Sequence, residues 1–299
     1  MNTATESPLA DFGFYIDIDG TAATVKAIQA VLAKLEVRDR WCVEFGAWDG
    51  FVGSTSRDLI TNHGYSAVLI EGSEAKFRDL KRNYADSPQV IARNQFVGFH
   101  EQDGLDVILT ATPIPRDFDF LTVDIDGNDF HVWHAVRRYE PKVVMIEFNP
   151  TIPLEISFVQ PADPEVNQGS SLTAMVELAQ QKGYELISVI GVNAIFVRRE
   201  YFRRFGIADN RAEALWTKRD CITYLFSGYD GKVFLRGCMK LPWHESITIE
   251  EARMQVLSSF LQGQPFTRRK RIIYECLRSP ISVVRKIFRR LGKNPPRLS

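Results

Sequence analysis

The sequence predicts an α/β chain built on a doubly wound, mostly parallel, seven-stranded sheet, followed by a C-terminal extension. Three observations predict it. Short apolar runs alternate with helical patterns at intervals of about 25 residues from Trp41 to Phe148, as in successive βαβ units. The first run ends in an acid and a glycine-flanked turn, Glu44-Phe-Gly-Ala-Trp-Asp-Gly50, which suits a backbone that a ligand must approach closely. Two late runs, Tyr184–Ile190 and Ala194–Val197, are joined by a tight turn and predict one antiparallel edge on the sheet.

Taken in order, residues 1–11 are a polar lead-in, and Ala22–Leu35 reads as a helix with Val25, Ile28, Val31, Leu32 and Leu35 on one face. Further helices are expected at 54–63, Glu74–Asn83, Leu105–Thr112, Phe130–Tyr139 and Leu172–Lys182. Ser73 stands where an N-cap would. The remaining strands fall at Ser66–Ile70, Val90–Val97, Phe118–Val123 and Lys142–Phe148. Pro150–Gln168 is too irregular for a regular element, and its place beyond the fifth strand makes it a candidate lid. After residue 200 come short helices at Tyr201–Phe205 and Arg211–Trp216, a hairpin within Thr223–Gly237 and a helix at Ile249–Leu261. This divides the chain into a helical lead-in (1–37), a ligand-binding α/β domain (38–200), an accessory segment (201–264) and a basic tail (265–299).

The 299 residues are 45% apolar, enough to bury a sizeable core. Thirty-seven basic residues balance 37 acidic ones, yet the distribution is uneven. Residues 265–299 hold eleven Lys and Arg against Glu275 alone, leaving +10 there and −10 in the rest. The four cysteines show neither paired spacing nor a zinc pattern, which fits a reducing compartment. With no signal pattern and no run of about 18 apolar residues, the expected location is cytoplasmic.

Ligands of open α/β sheets sit beyond the carboxyl ends of the strands. Glu44 would repel a phosphate there, so a nucleoside carrying positive charge fits better. Glu71, ending the second strand some 20 residues beyond the glycine turn, suits the two hydroxyls of a ribose. Asp124, Asp126 and Glu147 close the fourth and fifth strands and can converge to accept a proton, hold hydroxyls or bind a divalent cation such as magnesium. His131, with His134 one turn on, is a candidate base on the following helix. Separately, Asp17-Ile-Asp-Gly-Thr21 resembles the signature of haloacid-dehalogenase-like phosphatases, but no later lysine and acidic pair complete that set.

The ordered set Glu44–Gly50, Glu71 with Ser73, Leu121-Thr-Val-Asp-Ile-Asp-Gly127, Val144-Met-Ile-Glu147 and Asn193-Ala-Ile-Phe-Val197 resembles the class I S-adenosylmethionine-dependent methyltransferases, more narrowly the FkbM-like family. The resemblance spans residues 38–200 and implies a Rossmann-like methyltransferase sheet with S-adenosylmethionine as cofactor. It implies that Glu44, Gly46, Ala47 and Gly50 line the methionine end. Glu71, Gly72 and Ser73 would hold the ribose, Gln95 and Phe96 the adenine, and Asp124 would face both cofactor and acceptor. The family acts mostly on hydroxyls, often of sugars. Asp124-Ile-Asp-Gly127 departs from the Asn/Asp-Pro-Pro-Tyr of many amino-directed nucleic-acid methyltransferases, so a sugar or glycan hydroxyl is the implied acceptor. The rival from another class is a non-catalytic binding module that keeps the nucleotide fold.

Arg268-Arg-Lys-Arg271 precedes an apolar patch, and Pro280 opens a pattern with Ile281, Val284, Ile287, Phe288 and Leu291 opposite Arg285, Lys286, Arg289 and Arg290. A basic amphipathic helix over 268–291 would lie on an anionic membrane, here the inner face, and a lipid-linked acceptor would suit it. Nucleic acid is the weaker partner, because stacking aromatics are sparse.

Overall fold

A computed structural model describes residues 22–37, 39–244 and 247–279. The chain divides into two compact units at Arg219/Asp220. The first is organised by a central strand, β1 (Trp41–Phe45), whose apolar residues Cys42, Val43 and Phe45 are fully covered. Its parallel neighbours are β2 (Ser66–Glu71) on one side and β4 (Phe120–Val123) on the other. β3 (Val90–Asn94) extends the sheet beyond β2, and β5 (Val143–Glu147) beyond β4. Continuous apolar runs of this kind suit strands buried on both faces.

The late strands correct one expectation. β6 (Tyr184–Ile190) and β7 (Asn193–Arg198) give the order β3-β2-β1-β4-β5-β7-β6. β7 is the antiparallel strand, but it lies inside the sheet between β5 and β6, not at the edge. The tight turn makes β6 and β7 neighbours, and β7 pairs on its other side with β5 and is buried along Ala194–Val197.

Helices cover both faces. α1 (Ala22–Ala33) buries Ala27, Ile28, Val31 and Leu32 in the main core. α2 (Arg57–Asn62), α3 (Glu74–Asn83) and α4 (Leu105–Thr110) follow β1, β2 and β3 in turn. α5 (Asp129–Ala135) is shorter than predicted: Val136 leaves the helix with extended geometry, its N–H still bonded to Trp133. Trp133 anchors it, packed against Tyr184 and Phe196. α6 (Leu172–Gln181) is capped by the Ser171 hydroxyl, which accepts from Ala174 N–H. By contrast, Ser73 occupies the N-cap position of α3 without a side-chain cap bond. At the opposite end of the sheet from the strand carboxyl ends, buried Asp119 pairs with Lys142 at 2.5 Å.

A 3-10 helix at Arg199–Phe205 and α7 (Ala212–Leu215) complete the first unit, and both pack on β6. Residues 201–219 therefore fold with the sheet. The second unit contains the expected hairpin, β8 (Thr223–Ser227) with β9 (Val233–Gly237), and α8 (Arg268–Arg278). The helix expected over Ile249–Leu261 is only a 3-10 turn, Glu251–Met254. The Gln255 side chain takes the Glu251 carbonyl that would start the next helical turn, and it also brackets the backbone N–H and C=O of Val233.

All four cysteines are free thiols. No helix among the described residues is long and apolar enough to cross a membrane. The phosphatase-like Asp17–Thr21 motif and the pattern after Pro280 lie outside the described residues.

Candidate functional site

The carboxyl ends of β1, β2, β4 and β5 share one edge of the sheet because these strands run parallel. The order reverses between β1 and β4, which is where open α/β sheets form a crevice. Gly46 turns the chain there at φ +73°, and a Cβ on it would lie 2.4 Å from the Asp124 carbonyl oxygen. Only glycine permits this approach. Gly50, at φ +74°, is pressed by Leu80 and Tyr84 of the α3 region, and the Tyr84 hydroxyl donates to the Gly50 carbonyl at 2.9 Å.

Glu44 is buried with its carboxylate turned to the segment after the turn. It accepts from Ser54 Oγ at 2.7 Å, Thr55 N at 3.0 Å, Thr55 Oγ1 at 3.2 Å and the Ser56 hydroxyl. Four donors on one carboxylate fix the loop, so Glu44 braces the crevice wall rather than presenting an open acceptor. The sequence offered a signal for this, three consecutive hydroxyl residues ten positions on.

Glu71 is likewise a bracket. Oε2 accepts from Trp48 N at 2.8 Å and Oε1 from Ser73 N at 2.7 Å, tying the β1 turn to the β2 turn. Each oxygen keeps a lone-pair site for a further donor. Ala47 N–H bonds the Ile70 carbonyl beside it. Gly72 lies under the Phe96 ring, where a Cβ would meet Cδ1 at 2.4 Å. Phe96 is 77% exposed, a free aromatic face at the end of the β2–β3 pair. Gln95 N–H bonds the Glu71 carbonyl, and Asn94 Nδ2 donates to the same oxygen at 2.8 Å. The glycine turn, Glu71, Gly72, Ser73, Gln95 and Phe96 thus form one continuous rim.

Beyond β4 and β5, carboxylate oxygens of Asp124, Asp126 and Glu147 lie within 4.8 Å of one another. Protein atoms crowd the Asp124 carboxyl although one side is open to solvent. That loss of hydration, with Asp129, Asp126 and Glu44 nearby, pushes its pKa up to about 7. Glu147 is pushed well above the usual carboxylate range by burial and by Asp124, with which it forms a hydrogen-bonded pair. Like charges this close favour sharing one proton. Asp126 stands at φ +59°, a backbone conformation Asp tolerates better than most residues.

Sequence reasoning missed Asp129. It is buried and accepts from Ile125 N and Gly127 N, both at 2.9 Å, pinching the loop that carries Asp124 and Asp126. Its pKa rises to about 6 because burial outweighs those bonds. Asn193, the register partner of Glu147, enters the sequence reading only as the start of the closing motif and not as a site residue; its Oδ1 is buried without a protein partner among the described residues.

His131 does not join the acids. Its Nε2 lies 2.8 Å from the Gln160 carbonyl, which can only accept, so that nitrogen carries the proton and is spent on the 150–168 loop. The sequence could not place the loop carbonyl it meets. His134 stacks on Phe130.

The 150–168 loop is a braced wall rather than a lid. Gln160, 1% exposed, donates to Val166 O and accepts from Gln168 N and Gly169 N, while Asn128 Nδ2 reaches Asp163 O at 3.0 Å. Gly127 sits 3.1 Å, measured from an added Cβ, from the Asn167 backbone.

No family model matches the chain, and no curated protein matches it. Among solved structures it is similar to the N-terminal domain of EvdMO1 with SAH bound (TM-score 0.40, 12% identity, 59% of this chain and 79% of that one). It is also similar to a putative sarcosine dimethylglycine methyltransferase from Galdieria sulphuraria (0.39, 13%, 59% and 69%). A third is precorrin-6y C5,15-methyltransferase from Geobacter metallireducens GS-15 (0.38, 16%, 62% and 93%). The sheet order, with β7 antiparallel between β5 and β6, is that of the Rossmann-like methyltransferase fold.

Proposed function

We propose that the chain is an S-adenosylmethionine-dependent O-methyltransferase of FkbM-like type acting on a sugar or glycan hydroxyl. The observation that carries this reading is the meeting of two halves of one crevice: the rim of Gly46, Glu71 and Phe96, and the acids Asp124, Asp126 and Glu147, joined where Gly46 rests on the Asp124 backbone. The residues present fit the cofactor. Phe96 offers a face for adenine beside Gln95, and Glu71 retains acceptor capacity for ribose hydroxyls. The acidic end tolerates positive charge and would reject a phosphate.

When bound, S-adenosylmethionine supplies a methyl group on a positively charged sulfur that leaves readily. The chain's own work is to orient the acceptor oxygen and remove its proton as the new bond forms. Asp124, whose carboxyl stands among Asp129, Asp126 and Glu44, takes that proton, and Glu147 shares it. Asp126 holds a neighbouring sugar hydroxyl. An all-carboxylate set also suits a hard cation, and the same three side chains would hold magnesium, which would neutralise their repulsion.

Calorimetry with S-adenosylmethionine tests the cofactor reading: binding is expected, with loss on Glu71→Ala. A gain of one methyl mass on a sugar acceptor tests the reaction. Binding without turnover across sugar acceptors would favour the non-catalytic module. Magnesium should raise the melting temperature of the wild type and not of Asp126→Ala if the acids hold a cation.

A further inference from the structure

The second unit, by itself, exposes a surface that the methyl-transfer reading leaves unused. α8 buries none of its residues. Ile272, Ile273, Cys276 and Leu277 fall within one arc of the helix, and Ile272, Ile273 and Leu277 are 51%, 39% and 63% exposed. Arg268 borders that arc, Arg271 and Arg278 lie on the opposite face of the helix, and Glu275 is its one acid. Arg269 falls within the arc, where its aliphatic stem can lie on apolar material while the guanidinium reaches outward.

The helix is fixed to the hairpin. Lys270 Nζ donates to the Gln262 carbonyl at 2.6 Å, and Gly263 N–H bonds the Asp230 carbonyl at 2.8 Å in the β8–β9 turn. Beside Asp230, Tyr229 is 93% exposed, and a tyrosine with an apolar body and a polar tip belongs at a water–lipid boundary. The sequence after α8 adds Arg285, Lys286, Arg289, Arg290, Lys293 and Arg297 and no acid.

We infer that α8, with the Tyr229 turn, is a docking surface for an anionic lipid bilayer. A bare apolar arc with Arg269 inside it and Arg268 at its edge matches acyl chains beneath negative headgroups, and neither feature alone would choose that partner. A neutral protein groove would not reward the arginines. A nucleic acid would not reward Ile272, Ile273 and Leu277. This inference does not depend on the acceptor proposed above.

The test is flotation of the full-length chain with phosphatidylcholine vesicles, with and without phosphatidylglycerol. Binding is expected only with phosphatidylglycerol and should fall as salt rises. Arg268→Ala with Arg269→Ala should weaken it about 25-fold, at roughly fivefold for each charge. Ile272→Ser with Leu277→Ser should weaken it by at least as much and leave the melting temperature in place, because both side chains are exposed. Several results would overturn the inference: no binding at low salt, binding indifferent to both double variants, or a sharp loss of stability in the serine variant, which would mark the arc as covered by the chain itself. A dimer that the serine variant dissolves would give the face to a second copy, and tighter binding to an RNA homopolymer than to vesicles would give it to nucleic acid.

Discussion

Gly46 and Asp124 are in contact across the centre of the sheet: a methyl group on Gly46 would fall 2.4 Å from the Asp124 carbonyl oxygen. The turn after β1 is therefore seated on the end of β4, and the cofactor rim and the acid cluster share one backbone contact. Gly46→Ala must leave a left-handed conformation or displace β4. It should cost at least about 2 kcal/mol of stability, read by urea denaturation, and should reduce S-adenosylmethionine affinity. A variant with unchanged stability and affinity would separate the two halves of the site.

Glu71→Gln replaces one acceptor oxygen by an amide that faces a backbone N–H, from either Trp48 or Ser73. The loss of one hydrogen bond and the donor-donor conflict should weaken cofactor binding by about tenfold. Calorimetry would show it, and wild-type affinity would remove Glu71 from the rim.

Asp124 must be ionised to accept a proton, and its pKa is raised to about 7. Turnover measured in chelator should therefore fall as pH drops below about 7. Asp126→Asn removes one of the neighbouring charges that raise it and keeps a residue tolerant of positive φ. The acidic limb of the kcat/KM profile should then move to lower pH. A limb that stays in place would mean that another group sets it.

Asp129 bears on stability instead. Its folded pKa, about 6, lies above the value of roughly 4 for a free aspartate. Between those pH values the folded state binds more protons than the unfolded state, so stability contributed by the protonated form is lost as pH rises from about 4 to about 6 and is constant above. Asp129→Asn should flatten that slope while lowering stability overall, because an amide can accept from only one of Ile125 N and Gly127 N. Melts across this pH range would show both effects.

His131→Phe should leave the acidic limb of the pH profile unchanged, because Nε2 holds the Gln160 carbonyl rather than a substrate proton. Its effect should fall on KM for the acceptor through a loosened 150–168 wall. A lost limb would restore His131 as the base.

The sequence by itself determined the strands and their order of appearance, because the buried strands are mostly apolar runs and β1, β2, β4 and β5 each end at a turn residue or an acid. It also determined that Glu44, Glu71, Asp124, Asp126 and Glu147 share one edge, since parallel strands place their carboxyl ends together. Local pattern says nothing about which donor meets which acceptor across the fold. Only the tertiary structure decided that Glu44 and Glu71 spend oxygens on the loops of Thr55 and Trp48, and that His131 turns to Gln160. It alone set β7 between β5 and β6, because a tight turn fixes the neighbour on one side of a strand and leaves the other side to packing.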